Sequence, residues 1–255
     1  MHYVFTDLHG NGKLWDKIKE KYLKDENRLI FLGDACDRGL DGFRIMKEML
    51  SLDKERFVYL KGNHEDMFVD AAKELLEYKE EHNLTVEQMI NIGIENLAFE
   101  GNFATHICLS NGGVSTLTDW LKGGMHIAII PKLKRLPLSC SFRNYDFCHA
   151  GCIQSLWENP EEDEEEFTSY VLWDRTHFLE ENKWFDGRVL IHGHTPTVSR
   201  SFCCEWNFGA PRHEPVRYAE GTKINLDTGS VRVGYGWVYC IETDKFEKVE
   251  IENEG

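Results

Sequence analysis

The chain lacks the features that mark membrane, secreted and nucleic-acid-binding proteins. It has no run of about 18 apolar residues, so no segment is expected to span a bilayer. The start, Met1-His2-Tyr3-Val4-Phe5, enters an apolar stretch without a basic region before it, and no secretory signal is expected. None of the 8 cysteines forms a Cys-x-x-Cys pair, and Cys203-Cys204 are too close for an ordinary bridge. Free thiols and a cytoplasmic location are the expectation. Pro-rich linkers, internal repeats and low-complexity segments are missing too, apart from one acidic run, Glu161 to Glu166. That run reads as the solvated start of a helix, with a surface for a basic partner as the alternative.

Positive charge is scarce. Lys and Arg number 29 against 44 Asp and Glu, a formal net charge of -15. Such a balance argues against nucleic acid or anionic membrane as partners, because phosphate backbones reward clustered Lys and Arg. It leaves small phosphate esters open, since metal ions can neutralise several of the carboxylates. At 255 residues, 42% hydrophobic and 29% charged, the chain is expected to form one large α/β domain, 1–255.

The first sixty residues alternate strand and helix. Strands are expected over Tyr3–Phe5, Leu29–Leu32 and Phe57–Leu60, with amphipathic helices over Gly12–Lys24 and Asp41–Leu52. This β-α-β-α-β order implies parallel strands with right-handed crossovers. A helical insertion follows at about 66–122, read as helices Met67–Glu81, Thr85–Glu100 and Val114–Lys122. Its turn Asn111-Gly112-Gly113, close to Ser115 and Thr116, is placed to edge a site. Phe99, Phe103 and Trp120 read as helical core, with base stacking as the alternative. Further strands are expected at His126–Ile130, Tyr145–Cys148, Arg188–Ile191, Lys223–Leu226, Gly236–Ile241 and Lys245–Ile251. The architecture expected is two mixed sheets packed face to face with helices outside.

Five short motifs occur in order: Asp7-Leu8-His9-Gly10, Gly33 to Gly39 (GDACDRG), Gly62-Asn63-His64-Glu65, His149-Ala150-Gly151 and His192-Gly193-His194-Thr195. The first three directly follow the three strands, at the carboxyl ends where ligands bind in α/β sheets. Asp7 and His9, two apart, share a face if the segment is extended. Asp34 offers two oxygens with which to bridge two cations, and Asn63, His149 and His194 complete a second ligand set. Mixed Asp, Asn and His donors suit two divalent ions, with manganese expected and iron or zinc as alternatives. Water bridging two dications becomes a hydroxide nucleophile near neutral pH, suited to in-line attack on a phosphate ester. His64, beside Asn63, is placed to protonate the leaving oxygen, with Asp37 orienting its ring. Arg38 and Arg175 are the phosphate clamps, since a guanidinium fork matches paired oxygens. His192 reads as a structural neighbour of His194, and Cys36 as a small side chain filling space near the sheet.

These motifs resemble those of the calcineurin-like metallophosphoesterases, and the Asp37-Arg38 pair resembles the phosphoprotein phosphatase branch. The likeness runs from about Tyr3 to Thr195, and Ile224 to Gly229 is similar to a strand of bacterial members. Thr6 stands where the first motif usually has Gly. The resemblance implies a four-layer α/β/β/α sandwich. It assigns Asp7, His9 and Asp34 to one metal, and Asp34, Asn63, His149 and His194 to the other. Asp37 and His64 fall to the acid dyad and Arg38 to phosphate. Expected substrates are phosphorylated proteins, on serine or threonine, or small phosphoesters. Symmetrical diadenosine tetraphosphate hydrolysis is the alternative. A non-catalytic phosphate-binding module is the remote third reading; it predicts a missing ligand, acid or clamp, and none is missing. The sequence does not give the oligomeric state.

Overall fold

The computed structural model describes residues 1–24, 26–176, 183–199 and 213–251. Its opening elements are β1 (His2–Phe5), α1 (Gly12–Tyr22), β2 (Arg28–Phe31), α2 (Gly42–Met49) and β3 (Phe57–Tyr59). β1 pairs in parallel with β2, and β2 with β3. Helix α1 begins where the Asn11 side chain accepts from the Leu14 N–H at 3.1 Å, and it buries Leu14, Trp15, Ile18 and Tyr22 along one stripe.

Five helices follow: α3 (Asn63–Glu81), α4 (Val86–Ile92), α5 (Ile94–Phe99), α6 (Phe103–Ser110) and α7 (Val114–Lys122). The single helix expected over Thr85–Glu100 is broken in two. Thr85 and Gln88 form a reciprocal cap at its start, but Gly93 takes φ 84, a left-handed conformation that ends the first piece. The strand expected at His126–Ile130 is instead a 3-10 turn, Ile127–Ile129, running into α8 (Ile130–Lys134). Periodicity cannot separate a short apolar run in a strand from one in a buried helix, and Pro131 in the first turn suits a helix start.

The rest of the chain is β4 (Ser139–Phe142), β5 (Tyr145–Cys148), α9 (Gln154–Glu158), α10 (Glu164–Trp173), β6 (Val189–His192), β7 (Val216–Tyr218), β8 (Lys223–Asn225), β9 (Tyr235–Cys240) and β10 (Lys245–Glu250). Strands β4 and β7, edge strands that pair antiparallel with β5 and β8, add to the strands expected from the sequence. The acidic run does start a helix: the Asp163 side chain caps α10 by accepting from the Glu166 N–H at 2.8 Å.

Two mixed five-stranded sheets result, in the orders β10-β9-β1-β2-β3 and β4-β5-β6-β8-β7. Side-chain alternation sorts the strands' apolar residues into three layers. Phe5, Leu29, Phe31 and Phe57 face α1, α2 and the helical block. Val4, Ile30, Leu32, Phe147, Ile191 and Ile224 meet between the two sheets. Leu190 and Cys148 face α9 and α10 on the far side. The molecule is thus the α/β/β/α sandwich the motifs implied. Trp120 is fully buried, as expected of helical core, whereas Phe99 and Phe103 are 80% and 72% exposed. The six described cysteines are free thiols, and Cys203-Cys204 lie outside the described residues. Among the described residues no helix is long and apolar enough to cross a membrane.

Candidate metal centre

Parallel strands of both sheets point their carboxyl ends at one place. Asp7 and His9 follow β1, Asp34 and Asp37 follow β2, and Asn63 and His64 open α3 just after β3; His149 follows β5 and His194 follows β6. The loops after β1 and β2 are joined by backbone hydrogen bonds from His9 N to Asp34 O at 2.9 Å, Gly10 N to Ala35 O at 2.8 Å and Gly39 N to His9 O at 2.9 Å. Packing is tight enough that a side chain is excluded at Gly193, where an added Cβ would lie 2.2 Å from the Asp7 carboxylate.

The backbone here is strained. Asp7, His9, Asp34, Asp37, Arg38 and His194 all have φ between 44 and 68°, a left-handed conformation costly for residues with a Cβ. Asp7 and His9 therefore do not share a face of an extended segment. They converge through two left-handed turns, with His9 Nε2 3.6 Å from Asp7 Oδ1. Asn63 and His64 likewise sit on the first turn of a helix, not on a strand, and the His64 N–H donates to Asp34 Oδ1 at 3.0 Å.

Asp34 is the hub. Its Oδ2 lies 3.6 Å from His9 Nε2, 3.3 Å from His149 Nε2 and 3.9 Å from His64 Nε2. Asn63 Oδ1 is 3.0 Å from both His149 Nε2 and His194 Nδ1. Two groups of donor atoms able to hold a cation share this carboxylate: His9, Asp34 and His64, and Asp34, His149 and His194. All are buried, and Asp7 Oδ1 and His194 Nε2 are buried with no hydrogen-bond partner. Unpaired buried donors and acceptors of this kind cost free energy unless something else satisfies them, and divalent cations suit these donor types.

Protonation follows the crowding of charge. Burial alone would raise the Asp34 pKa, but His149, His64 and His9 around it hold it well below the usual carboxylate range. Burial opposes protonation of His149, yet Asp34 overcomes it and lifts the pKa to about 9. Burial works against His64 in the same way, and Asp34 and Asp37 outweigh it, so this pKa is raised too. Burial lowers His9, and burial with the neighbouring His149 lowers His194, so both rings favour the neutral form.

At the rim, His64 Nδ1 is 2.7 Å from Asp37 Oδ2. The Arg38 guanidinium bridges His9 Nε2 at 2.7 Å and His64 Nε2 at 3.1 Å. The insertion edges the site as its Asn-Gly-Gly turn suggested: Gly112 O accepts from Arg38 N at 2.8 Å, Ser115 Oγ donates to Gly39 O at 2.6 Å, and Asp37 N donates to Thr116 Oγ1 at 3.0 Å. Arg175, after α10, donates to Thr195 Oγ1 at 3.1 Å. It shares with Arg38, Asn111 and His194 the wall of a cavity of about 390 Å³. Phe99, Phe103 and Trp120 do not line that cavity. Cys36 is fully buried, and burial pushes its thiol well above the ordinary range, which suits a space-filling side chain. His192 is buried beneath the site with Nε2 2.7 Å from the Tyr218 hydroxyl.

Two further buried carboxylates, Glu65 and Asp227, help to hold the site. Glu65 accepts from Asp34 N, Ala35 N, Gly62 N and the Tyr59 hydroxyl at 2.7–2.9 Å, fastening the loop after β2 to the start of α3. Asp227, after β8, accepts from Gly229 N at 2.9 Å and leaves Oδ2 without a partner. Glu65 closes a motif read only for its Asn and His, and Asp227 ends a strand in the same way as Asp7 and Asp34.

Comparison with known proteins places the chain in a family and a fold. Residues 3–225 match the family described as calcineurin-like phosphoesterase. No curated protein matches the sequence. Among solved structures, a candidate diadenosine tetraphosphatase has 14% identity and a TM-score of 0.55, over 99% of this chain and 94% of its own. A cold-active protein tyrosine phosphatase has 14% identity and a TM-score of 0.52, over 98% and 78%. A protein serine/threonine phosphatase from Saccharomyces cerevisiae has 13% identity and a TM-score of 0.53, over 100% and 81%. At these identities the likeness is one of fold.

Proposed function

The chain belongs to the calcineurin-like phosphoesterase family, and from that premise we propose that it is a dinuclear metal-dependent phosphatase acting on phosphoserine and phosphothreonine in proteins. The observation that carries the reading is the position of Asp34 Oδ2 between His9 Nε2 at 3.6 Å and His149 Nε2 at 3.3 Å, all three buried. Asp7, His9 and Asp34 would hold one divalent ion, and Asp34, Asn63, His149 and His194 would hold the other, with manganese the expected metal. Ions bound there supply Lewis acidity toward the phosphoryl oxygens and activate water for attack on phosphorus. Occupation of His9 Nε2 requires its present contact with Arg38 to open.

The chain's own groups do the rest. Arg38 and Arg175, on one cavity wall, bind the phosphate oxygens and orient the ester for in-line attack. His64 donates through Nδ1 to Asp37, which fixes the ring; once the present Arg38 contact at Nε2 opens, a proton on Nε2 is free to pass to the leaving oxygen. The same Asp37 contact favours the imidazolium, the form that donates. Burial of the ligand side chains keeps competing water off them.

The second reading, hydrolysis of dinucleoside polyphosphates, is favoured by the fold likeness to a candidate diadenosine tetraphosphatase. Against it, the aromatic residues singled out for base stacking lie away from the cavity. Manganese-loaded protein should release phosphate from phosphoserine and phosphothreonine peptides faster than it releases ADP from diadenosine tetraphosphate. The opposite order would favour the second reading. His64→Asn should lower kcat by a factor of about 10²–10⁴ while leaving bound metal unchanged; an unaltered kcat would remove His64 as the acid.

A further inference from the structure

A third guanidinium, Arg232, lines the same 390 Å³ cavity as Arg38 and Arg175. No role in binding the reacting phosphate falls to it, because a phosphomonoester is already met by the other two. Arg232 is exposed and makes no side-chain hydrogen bond or ion pair among the described residues. Elsewhere in this chain of net charge -15, Arg44, Arg188 and Arg217 are each held by carboxylates. A cation left facing a cavity without an acid keeps its charge available to a ligand.

Its position is built rather than incidental. Arg232 ends a 3-10 turn, Ser230–Arg232, that is entered through Gly229 at φ 71. Asp227 Oδ1 accepts from the Gly229 N–H at 2.9 Å, Arg232 N donates to Gly229 O at 2.9 Å, and Ser230 Oγ donates to the Asp7 carbonyl at 2.7 Å. The turn is thereby tied to the loop that carries Asp7, so the Arg232 backbone holds a fixed place relative to the centre while its side chain reaches into the cleft. Among the described residues the remaining lining includes Ser110, Asn111 and Ser199, and the His194 imidazole is its one aromatic ring. That wall offers charge and hydrogen bonds.

We propose that Arg232 selects substrates that carry a second anionic group, phosphate or carboxylate, beside the reacting phosphate. The inference rests on the phosphatase reading above and names the kind of substrate the site prefers. A planar guanidinium pairs with either anion in the same bidentate geometry. The local cluster of three cations also offsets the repulsion that a chain of this net charge exerts on a polyanion.

The test compares wild type, Arg232→Gln and Arg232→Lys, all manganese-loaded with metal content measured. Substrates are a phosphoserine peptide flanked by Glu, the same peptide with Gln in place of Glu, and tripolyphosphate beside p-nitrophenyl phosphate. The proposal expects Arg232→Gln to lower kcat/KM on the doubly anionic member of each pair about tenfold more than on its partner, with Arg232→Lys keeping much of the preference. A change confined to the peptide pair identifies carboxylate as the second group, and one confined to the other pair identifies phosphate. Equal factors on all four substrates, or none, overturn the proposal. Should the loaded wild type hydrolyse nothing, the phosphatase reading fails, and calorimetric binding still decides on Arg232. The ratio of pyrophosphate to orthophosphate affinity must then drop about tenfold in Arg232→Gln, and an unchanged ratio overturns the inference.

Discussion

Glu65 offers the sharpest test of how the site is held. Its Oε2 accepts from Asp34 N at 2.9 Å and Gly62 N at 2.8 Å, and its Oε1 accepts from Ala35 N at 2.7 Å and the Tyr59 hydroxyl at 2.9 Å. The side chain is fully buried, so water cannot replace it. Glu65→Gln can keep its oxygen toward Asp34 and Gly62, and Tyr59 can rotate to accept from the new amide, but the Ala35 N–H then meets a second donor. One backbone N–H and one amide hydrogen stay unpaired; at ~1–3 kcal/mol each, the loss is about 3 kcal/mol. Glu65→Ala strands all four donors and leaves a cavity, a loss of about 6 kcal/mol against a total stability of ~5–15 kcal/mol. Urea unfolding followed by circular dichroism measures both. Because the loops carrying Asp34 and Asn63 are fastened through this carboxylate, manganese affinity should fall about 10–100-fold in Glu65→Gln. A Glu65→Ala protein within about 1 kcal/mol of wild type would refute the reasoning, since it would mean the four donors find other partners.

Two further outcomes follow from buried charge. In the metal-free protein burial disfavours the His149 imidazolium, but Asp34 holds its pKa at about 9. This is above the ordinary value of ~6.5, so the stabilisation is complete below about pH 6.5 and lost as pH rises through about 9, a difference of roughly 3 kcal/mol. Manganese must displace that proton, so calorimetry near neutral pH in buffers of different ionisation enthalpy should show about one proton released per chain from this group; zero release would contradict the assignment. Far from the centre, Asp146 on β5 accepts from Ser141 Oγ at 2.6 Å, Trp184 Nε1 at 2.8 Å and Arg188 Nε at 2.7 Å. Arg188→Met should cost about 2 kcal/mol, the buried-pair figure being discounted for the partial exposure of the arginine. Activity per folded molecule should be preserved, and a matching fall in kcat would show coupling that the account does not contain.

The layer structure was legible because it rests on alternation: Leu29 and Phe31 face helices while Ile30 and Leu32 face the second sheet. The motifs were legible because they end strands, and a strand end in a parallel sheet has one address. What periodicity could not show is the path of the chain between those ends. Left-handed turns at Asp7 and His9 are imposed by hydrogen bonds to the neighbouring loop, a tertiary constraint with no local signature. The helix start at Asn63 has no side-chain cap of Ser, Thr or Asp to announce it; Gly62 stands in the capping position and Glu65 supplies the reciprocal bond. Gly93 lies within the single helix read over Thr85–Glu100, and its left-handed φ shows why the helix divides there. At His126–Ile130 an apolar run reads as strand although burial, and not conformation, is what such a run encodes. Arg232 carries no signal in the sequence, since a lone arginine in a turn acquires meaning only from the cavity it faces.

The central claim is that Asp34 is shared by two divalent ions on which phosphoester hydrolysis depends. Protein stripped by chelator and titrated with manganese, with bound metal and phosphopeptide hydrolysis followed together, tests it most directly. The account predicts two ions per chain, with activity developing as the second is bound, and a loss of both ions' affinity in Asp34→Asn. A wild-type plateau at one ion or none, or two ions bound without hydrolysis of any phosphoester, would contradict it.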